Sequence, residues 1–193
     1  MIRTAPSATL WPSTSPAGSA LYAQPLHSLR QDIARIHAAA AQSGRADTPR
    51  IIVLVRLIIG QTDELAWQRA ETLRAAALAQ TQATTPVETR WVPARDNRES
   101  SAGDLKQVAA NTVSEKHDLA LWTGLSGITQ RDKSTALVGS PETIVQALLD
   151  YVEAGVSTFI LDGFERLRDV PEIGHAILPK FRSRLARSEE GRG

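Results

Sequence analysis

Cysteine is absent from the 193 residues, which excludes disulfides, thiolate metal sites and a cysteine nucleophile together. An excess of charge of one sign is missing too, with 22 Lys and Arg against 21 Asp and Glu and a net charge of +1. Nucleic acid and anionic membranes usually require a clustered basic face, so neither is expected as the main partner. Long apolar runs are lacking. The longest, Ile51 to Ile59, is interrupted by Arg56 and falls far short of the ~20 residues a membrane helix needs. The opening MIRTAPSATLWPSTSPAGSA has neither a solid apolar stretch nor an acid-free Arg-rich helix. It is not read as a signal peptide, and a soluble cytoplasmic protein is the expectation. No GxGxxG, P-loop, GxSxG elbow or internal repeat occurs, and His27, His37, His117 and His175 show no metal-ligand spacing.

What is present suits one hydrophobic core: 42% of the residues are hydrophobic, over a one-domain length. Residues 1–18, with Pro6, Pro12 and Pro16 among small polar side chains, read as irregular. Leu26, Leu29, Ile33 and Ile36 recur at helical spacing between Pro25 and Gly44, predicting a helix. RIIVLVRLII, residues 50–59, is a β-branched run without alternation, the pattern of a parallel strand covered on both faces. Thr62 is a candidate N-cap for DELAWQRAETLRAAALAQ, with Asp63 and Glu64 where the helix dipole favours carboxylates. Residues 81–134 are polar and broken, with a short helix expected near Leu105 to Val113. An excursion of that length between regular elements is uncommon unless it is a lid, a binding loop or disordered. Order resumes with Ser140 as N-cap, Pro141 at the first helical position, Gly155 at the C-cap and a short strand from Ser157 to Leu161. A last helix is expected from about Pro171 to Leu185, and residues 188–193 as a solvated tail. Strand–helix alternation argues for βα units and a parallel sheet, an α/β class.

The order of the segments carries a resemblance. ALYAQPLHSLRQDIARIHAAAAQSGR, then VRLIIGQTDELAWQRAETL with T-x-x-x-A-W at Thr62 to Trp67, then LWTGL at 121–125, TALVGSPETI at 135–144, AGVSTFILDGF at 154–164 and ERLRDVPEIGHAILP follow one another as in luciferase-like, flavin-dependent monooxygenases, the group that includes alkanesulfonate monooxygenase. The resemblance covers roughly residues 20–185, and TALVGSPETI with GVSTFILDGF is its specific part. It implies the C-terminal portion of a (β/α)8 TIM barrel of the bacterial-luciferase type over residues 19–187, with 81–134 a mobile insertion between the last two strands. Sites in this architecture sit at the C-terminal mouth of the strands.

The implied chemistry is oxygen insertion by reduced FMN, delivered by a separate flavin reductase, through a flavin hydroperoxide acting on an anionic or organosulfur substrate. Most of that bond chemistry belongs to the cofactor. A deazaflavin-dependent reductase shares the fold and is a further alternative. The resemblance starts near the sixth barrel strand, and the strands that supply most flavin contacts have no counterpart here. The expectation is therefore an incomplete barrel, with little or no catalysis by the isolated chain. Either a separate N-terminal half or self-association would complete it, or the chain is a non-catalytic remnant or interaction module.

Arg56 is the sharpest single signal, a lone charge in an apolar strand. Burying an unpaired guanidinium costs several kcal/mol, so it needs either a neighbouring carboxylate or an anionic ligand. By the resemblance this strand points polar residues into the substrate cavity, which makes Arg56 a candidate catalytic anchor. Alkanesulfonate monooxygenases carry His at that position and Arg where Leu54 stands, a departure that bears on the substrate. Gly163 and Phe164, ending the last strand, are candidate flavin contacts. The sulfonate enzymes have Tyr in place of Phe164, and core packing is the other reading of this ring. Asp162 and Trp122 are candidate pocket residues, with packing the alternative for the tryptophan. Arg131, or its neighbour Gln130, falls where the family places an Arg in a mobile loop. No metal is expected.

Overall fold

The computed structural model describes residues 18–83, 115–126, 128 and 135–191. Its centre is the ten-residue strand β2 (Arg50–Ile59). The first strand, β1 (Gly18–Tyr22), lies parallel to its first half, with Gly18 opposite Arg50 and Tyr22 opposite Leu54. The last strand, β6 (Thr158–Asp162), lies parallel to residues 52–56, so Arg56 faces Asp162. Residues 52–54 of β2 pair with both, which places β1 and β6 on opposite edges of β2. A further short strand, β5 (Ala136–Gly139), pairs parallel with residues 56–59. A two-residue hairpin, β3 (Lys116–His117) and β4 (Leu121–Trp122), adds antiparallel to β5. The polar excursion thus contains ordered structure, at residues 116–122, that its composition did not announce. The short helix expected near Leu105 to Val113 lies outside the described residues.

Helices α1 (Leu26–Gln42), α2 (Asp63–Ala83) and α3 (Pro141–Glu153) follow β1, β2 and β5. The C-terminal helix begins as α4 (Arg166–Glu172), widens into a π-helical turn at Ile173–Ile177, and continues as α5 (Leu178–Glu190). It starts five residues before the expected Pro171. Pro171 sits inside α4, where it has no amide to donate, and the widened turn comes directly after it. What starts the helix early is Asp169, whose carboxylate accepts the Phe164 and Glu165 amides, each at 2.9 Å, at its N-terminus. Ser140 caps α3 by accepting the Thr143 amide, as its sequence position predicts. Gly155 follows α3 at φ +110°, the left-handed conformation that favours glycine. Pro25, at the N-cap of α1, offers no side-chain cap. The Leu26 amide donates instead to Asp118 at 2.9 Å, from the tip of the β3–β4 hairpin, where Asp118 itself has φ +48°.

One face of β2 is sealed and the other is not. Ile51, Val53, Val55, Leu57 and Ile59 are buried in the main core with Leu29 and Ile33 of α1, Ile144, Leu148 and Tyr151 of α3, and Ile173 and Ile177 of the C-terminal helix. Tyr151, whose hydroxyl donates to the Gln24 carbonyl at 2.6 Å, has its ionisation pushed up by burial. The alternate residues Ile52, Leu54 and Arg56 are only half-buried, so the expectation of a strand covered on both faces needs correction. Only the last inner-face residue, Ile58, is covered, in a second cluster with Ala66 and Ala70 of α2, Trp122, Ala136 and Val138. The unbroken apolar run reflects two different surfaces, a helix-packed exterior and an open concave interior of a curled partial barrel.

Two carboxylates hold the loops at the C-terminal ends of the strands. Asp63, at the start of α2, accepts the Ser140 amide at 2.6 Å and the Thr143 hydroxyl at 2.9 Å, joining α2 to the N-terminus of α3. The Ser140 amide, outweighing burial and helped by Thr143, holds the Asp63 carboxyl below its ordinary value of 3.8. Its contribution to stability is therefore present above that value and is lost as the pH falls through and below it. Asp63→Ala should lower the unfolding free energy by about 1–2 kcal/mol near neutral pH, the cost of leaving a half-buried donor unsatisfied. Urea melts at pH 7 and pH 3 should show that difference shrinking on the acid side; an equal difference at both would contradict this account.

Candidate functional site

The parallel arrangement of β1, β2 and β6 brings their C-terminal ends out on one side. The inner-face residues there are Tyr22, Leu54, Arg56, Ile160 and Asp162, and with Thr135 they line a cavity of about 100 Å³. Thr135 is fixed by donating its hydroxyl to the Ala23 carbonyl at 3.0 Å. The Arg56 guanidinium lies over the Phe164 ring, 4.9 Å from its centroid, within cation–π range. It makes no hydrogen bond and no ion pair closer than 4 Å with the described residues. Its five N–H donors are thus available to an acceptor in the cavity.

Asp162 stands across the ladder from Arg56 but its near partners are local. One carboxylate oxygen accepts the Gly163 amide at 2.9 Å, and the other lies 3.5 Å from Arg166. Burial pushes the Asp162 carboxyl up, but the Gly163 amide, Arg166 and the charge of Arg56 together outweigh it and hold the group below the usual carboxylate range. Asp162 is therefore ionised near neutrality, and Arg56 sits in a negative field without being clamped by it.

The turn after β6 is built around Asp169, of which 1% is exposed. A side chain on Gly163 would place its Cβ 2.2 Å from the Cβ of Asp169, so glycine is required there by close packing. Arg69 of α2 donates to Asp169 at 2.6 Å and to Glu165 at 2.9 Å, and lies 3.4 Å from the Ile59 carbonyl at the end of β2. Burial opposes the charge on Arg69, but the two carboxylates prevail and raise its pKa.

Of the residues singled out from the sequence, Arg56, Asp162, Gly163 and Phe164 come together at the mouth. Trp122 sits apart from the cavity lining; it is fully buried against Ile58, Ala66, Ala70 and Leu125, and Phe164 packs on the edge of that cluster. Arg131 and Gln130 lie outside the described residues. Tyr22, Thr135 and Ile160 line the cavity unannounced, and Arg69 and Asp169, which hold the adjoining turn, were unannounced as well. Tyr22 ends a five-residue strand too short for a periodic signal. Arg69 and Asp169 pair across 100 positions, which no local pattern reveals. Among the described residues no group of three or more His, Asp or Glu side chains could hold a metal, and no helix is long and apolar enough to cross a membrane.

A concave parallel sheet with α1, α3 and the C-terminal helix on its outer face and polar groups at the strands' C-terminal ends defines part of a (β/α) barrel with its site at the usual mouth. This chain belongs to the luciferase-like monooxygenase family, whose model matches residues 17–158. That span contains Arg56 and Trp122, whereas Asp162, Gly163 and Phe164 lie just beyond it. Similar solved structures include DmoA from Hyphomicrobium sulfonivorans, 20% identical with a TM-score of 0.55 over 88% of this chain and 38% of that one. EDTA monooxygenase (EmoA) from Chelativorans sp. BNC1 is 18% identical with a TM-score of 0.55, over 86% of this chain and 39% of that one. Riboflavin lyase (RcaE), solved with modified FMN and riboflavin, is 17% identical with a TM-score of 0.54, over 88% of this chain and 40% of that one. At these identities the likeness establishes the fold, and the chain spans about two fifths of each structure's length.

The packing of Trp122 gives a direct expectation. Trp122→Ala should destabilise the fold by about 3–5 kcal/mol, as large-to-small changes of buried aromatics do. Arg56→Met, by contrast, should change stability by less than about 1 kcal/mol, because only a stacking contact is lost. Chemical denaturation of both variants checks the contrast, and comparable losses would contradict it.

Proposed function

We propose that this chain is the C-terminal part of a flavin-dependent monooxygenase in which Arg56 anchors an anionic group of the substrate beside reduced FMN. The observation that carries the reading is the Arg56 guanidinium, half-buried at the mouth of the strands with its donors uncommitted. A cation so placed attracts carboxylate, sulfonate or phosphate oxygens through charge-assisted hydrogen bonds. The apolar inner face around it, Leu54 and Ile160, suits the flat or aliphatic remainder of a ligand. Membership of a monooxygenase family supports the reaction class.

The residues present fit one wall of a flavin site. Leu54, Ile160 and the Phe164 ring offer apolar surface, and the Gly163 turn brings backbone close to the cavity. About 100 Å³ is small beside the ~300–1,000 Å³ of ordinary ligand pockets, so the remaining walls would come from other strands. Bound reduced FMN would supply the activation of dioxygen. Arg56 would orient the substrate, and Asp162 would lend a negative field beside the guanidinium. The partners this implies are a flavin reductase and an N-terminal half that covers the open inner face and the β6 edge; self-association through the same surfaces is the alternative. Catalysis would depend on that completion.

Flavin fluorescence titration of the purified chain, with oxidised and then anaerobically reduced FMN, tests the cofactor. Saturable micromolar binding would support the reading; none, in a chain folded by circular dichroism, would leave a half awaiting its partner or a remnant without flavin chemistry. Titration with reduced deazaflavin in parallel distinguishes the reductase alternative. For the substrate class, octanesulfonate serves as an anionic probe. Arg56→Met should weaken its binding by about tenfold or more, the value of a hydrogen bond to a charged group, and leave a neutral octyl compound unaffected.

A further inference from the structure

The geometry points to Arg69 and Asp169 as positioning residues that hold the Phe164 ring against the Arg56 guanidinium and so fix the direction in which that cation is presented. The inference rests on the reading of Arg56 as the anion anchor and supplies what that reading leaves open, namely how a long, flexible side chain is aimed.

Arg56 has no hydrogen bond to a described residue to steer it, and its guanidinium lies over the face of Phe164, 4.9 Å from the centroid. Phe164 lies in a turn after an edge strand, where backbone would otherwise be free to move. Its amide is held at 2.9 Å by Asp169, as is that of Glu165. Both land on the same carboxylate oxygen, and the other accepts Arg69 at 2.6 Å. Asp169 thereby accepts from three donors in a site of which 1% is exposed, and a carboxylate so enclosed is held in place by its partners.

Arg69 supplies the reference point. It reaches the Ile59 carbonyl of β2 while gripping Asp169 and Glu165, and Ile59 is three residues beyond Arg56 on the same strand. The end of β2 and the turn after β6 are thus tied by one guanidinium, whose planar fork suits two carboxylates at once. The path runs from the backbone of β2 through Arg69, Asp169 and the Phe164 amide to the Phe164 ring, and back to Arg56 on β2. Gly163 completes it, since any side chain there would collide with Asp169.

Uniform incorporation of 4-fluorophenylalanine labels three positions, because the chain has only Phe159, Phe164 and Phe181. Phe159 and Phe181 pack edge to face, centroids 5.8 Å apart, and serve as internal controls. In ¹⁹F spectra, Arg69→Met and Asp169→Asn should each move the Phe164 resonance toward its solvent-exposed value and leave the other two in place. Arg56→Met should shift the Phe164 resonance in the parent protein and have little further effect in either variant. Octanesulfonate affinity should fall about fivefold or more in both variants, and Arg69→Lys should recover part of the loss. A Phe164 resonance unmoved in both variants would overturn the proposal, and so would equal movement of all three, which marks a general packing role. If octanesulfonate fails to bind the parent protein, the anionic-substrate reading falls, while the ¹⁹F result still decides whether this pair positions the ring.

Discussion

The backbone of β2 is the constraint on which the other elements depend. Its ten residues pair in parallel with β1, β5 and β6. A parallel strand cannot be reached by a tight turn, so each pairing demands a crossover, and α1 and α3 pack on the outer face while α2 covers only the end of the inner one, at Ile58. The main core is the consequence, because the odd-numbered residues of β2 lie wherever α1, α3 and the C-terminal helix can cover them. The inner face is open for the same reason, since no crossover of the described chain passes over Ile52, Leu54 and Arg56.

This division explains why polar chemistry gathers where it does. The outer face of β2 is filled by aliphatic contacts. At the C-terminal ends of the strands backbone groups run out of ladder partners, and side chains take their place: Asp63 for the Ser140 amide, Asp169 for the Phe164 and Glu165 amides, Thr135 for the Ala23 carbonyl. Each of these polar groups is satisfied by protein. Arg56 is the exception, and it lies on the half-buried inner face of β2.

Much of the fold was legible in the sequence, for identifiable reasons. The strand at 50–59 was marked by an unbroken β-branched run, and α3 by Ser140, Pro141 and Gly155, all local signals with local causes. The β3–β4 hairpin was not legible, because two-residue strands have no period, and its order comes from Trp122 packing under Ile58 and from Asp118 capping α1 at long range. The start of the C-terminal helix was misplaced because Pro171 resembles a first-turn proline, whereas Asp169 opens the helix five residues earlier. Composition alone hid the open inner face, since Leu54 and Ile160 are as apolar as residues fully enclosed, but the resemblance, lacking the earlier barrel strands, implied it. Of the site, Arg56 stood out as a charge among aliphatics, and the 162–164 turn by its likeness to the family. Arg69 and Asp169 did not stand out, because an ion pair spanning 100 positions leaves no trace in a window of sequence.

The pairing of β6 with β2 also has a consequence in time. The Ser157 hydroxyl meets the Ile51 carbonyl across 106 residues, so the central strand waits for a late segment before its second edge is closed. Loop-closure entropy is spent before that contact returns anything, which makes such sheets slow to form. On the ribosome, at roughly 5–20 residues per second, β1 and β2 emerge several seconds ahead of β6. During that interval a strand as apolar as RIIVLVRLII presents an unpaired edge. The charge of Arg56 in its middle then acts as a gatekeeper against edge-to-edge association, a role in the nascent chain separate from any it has in the folded one.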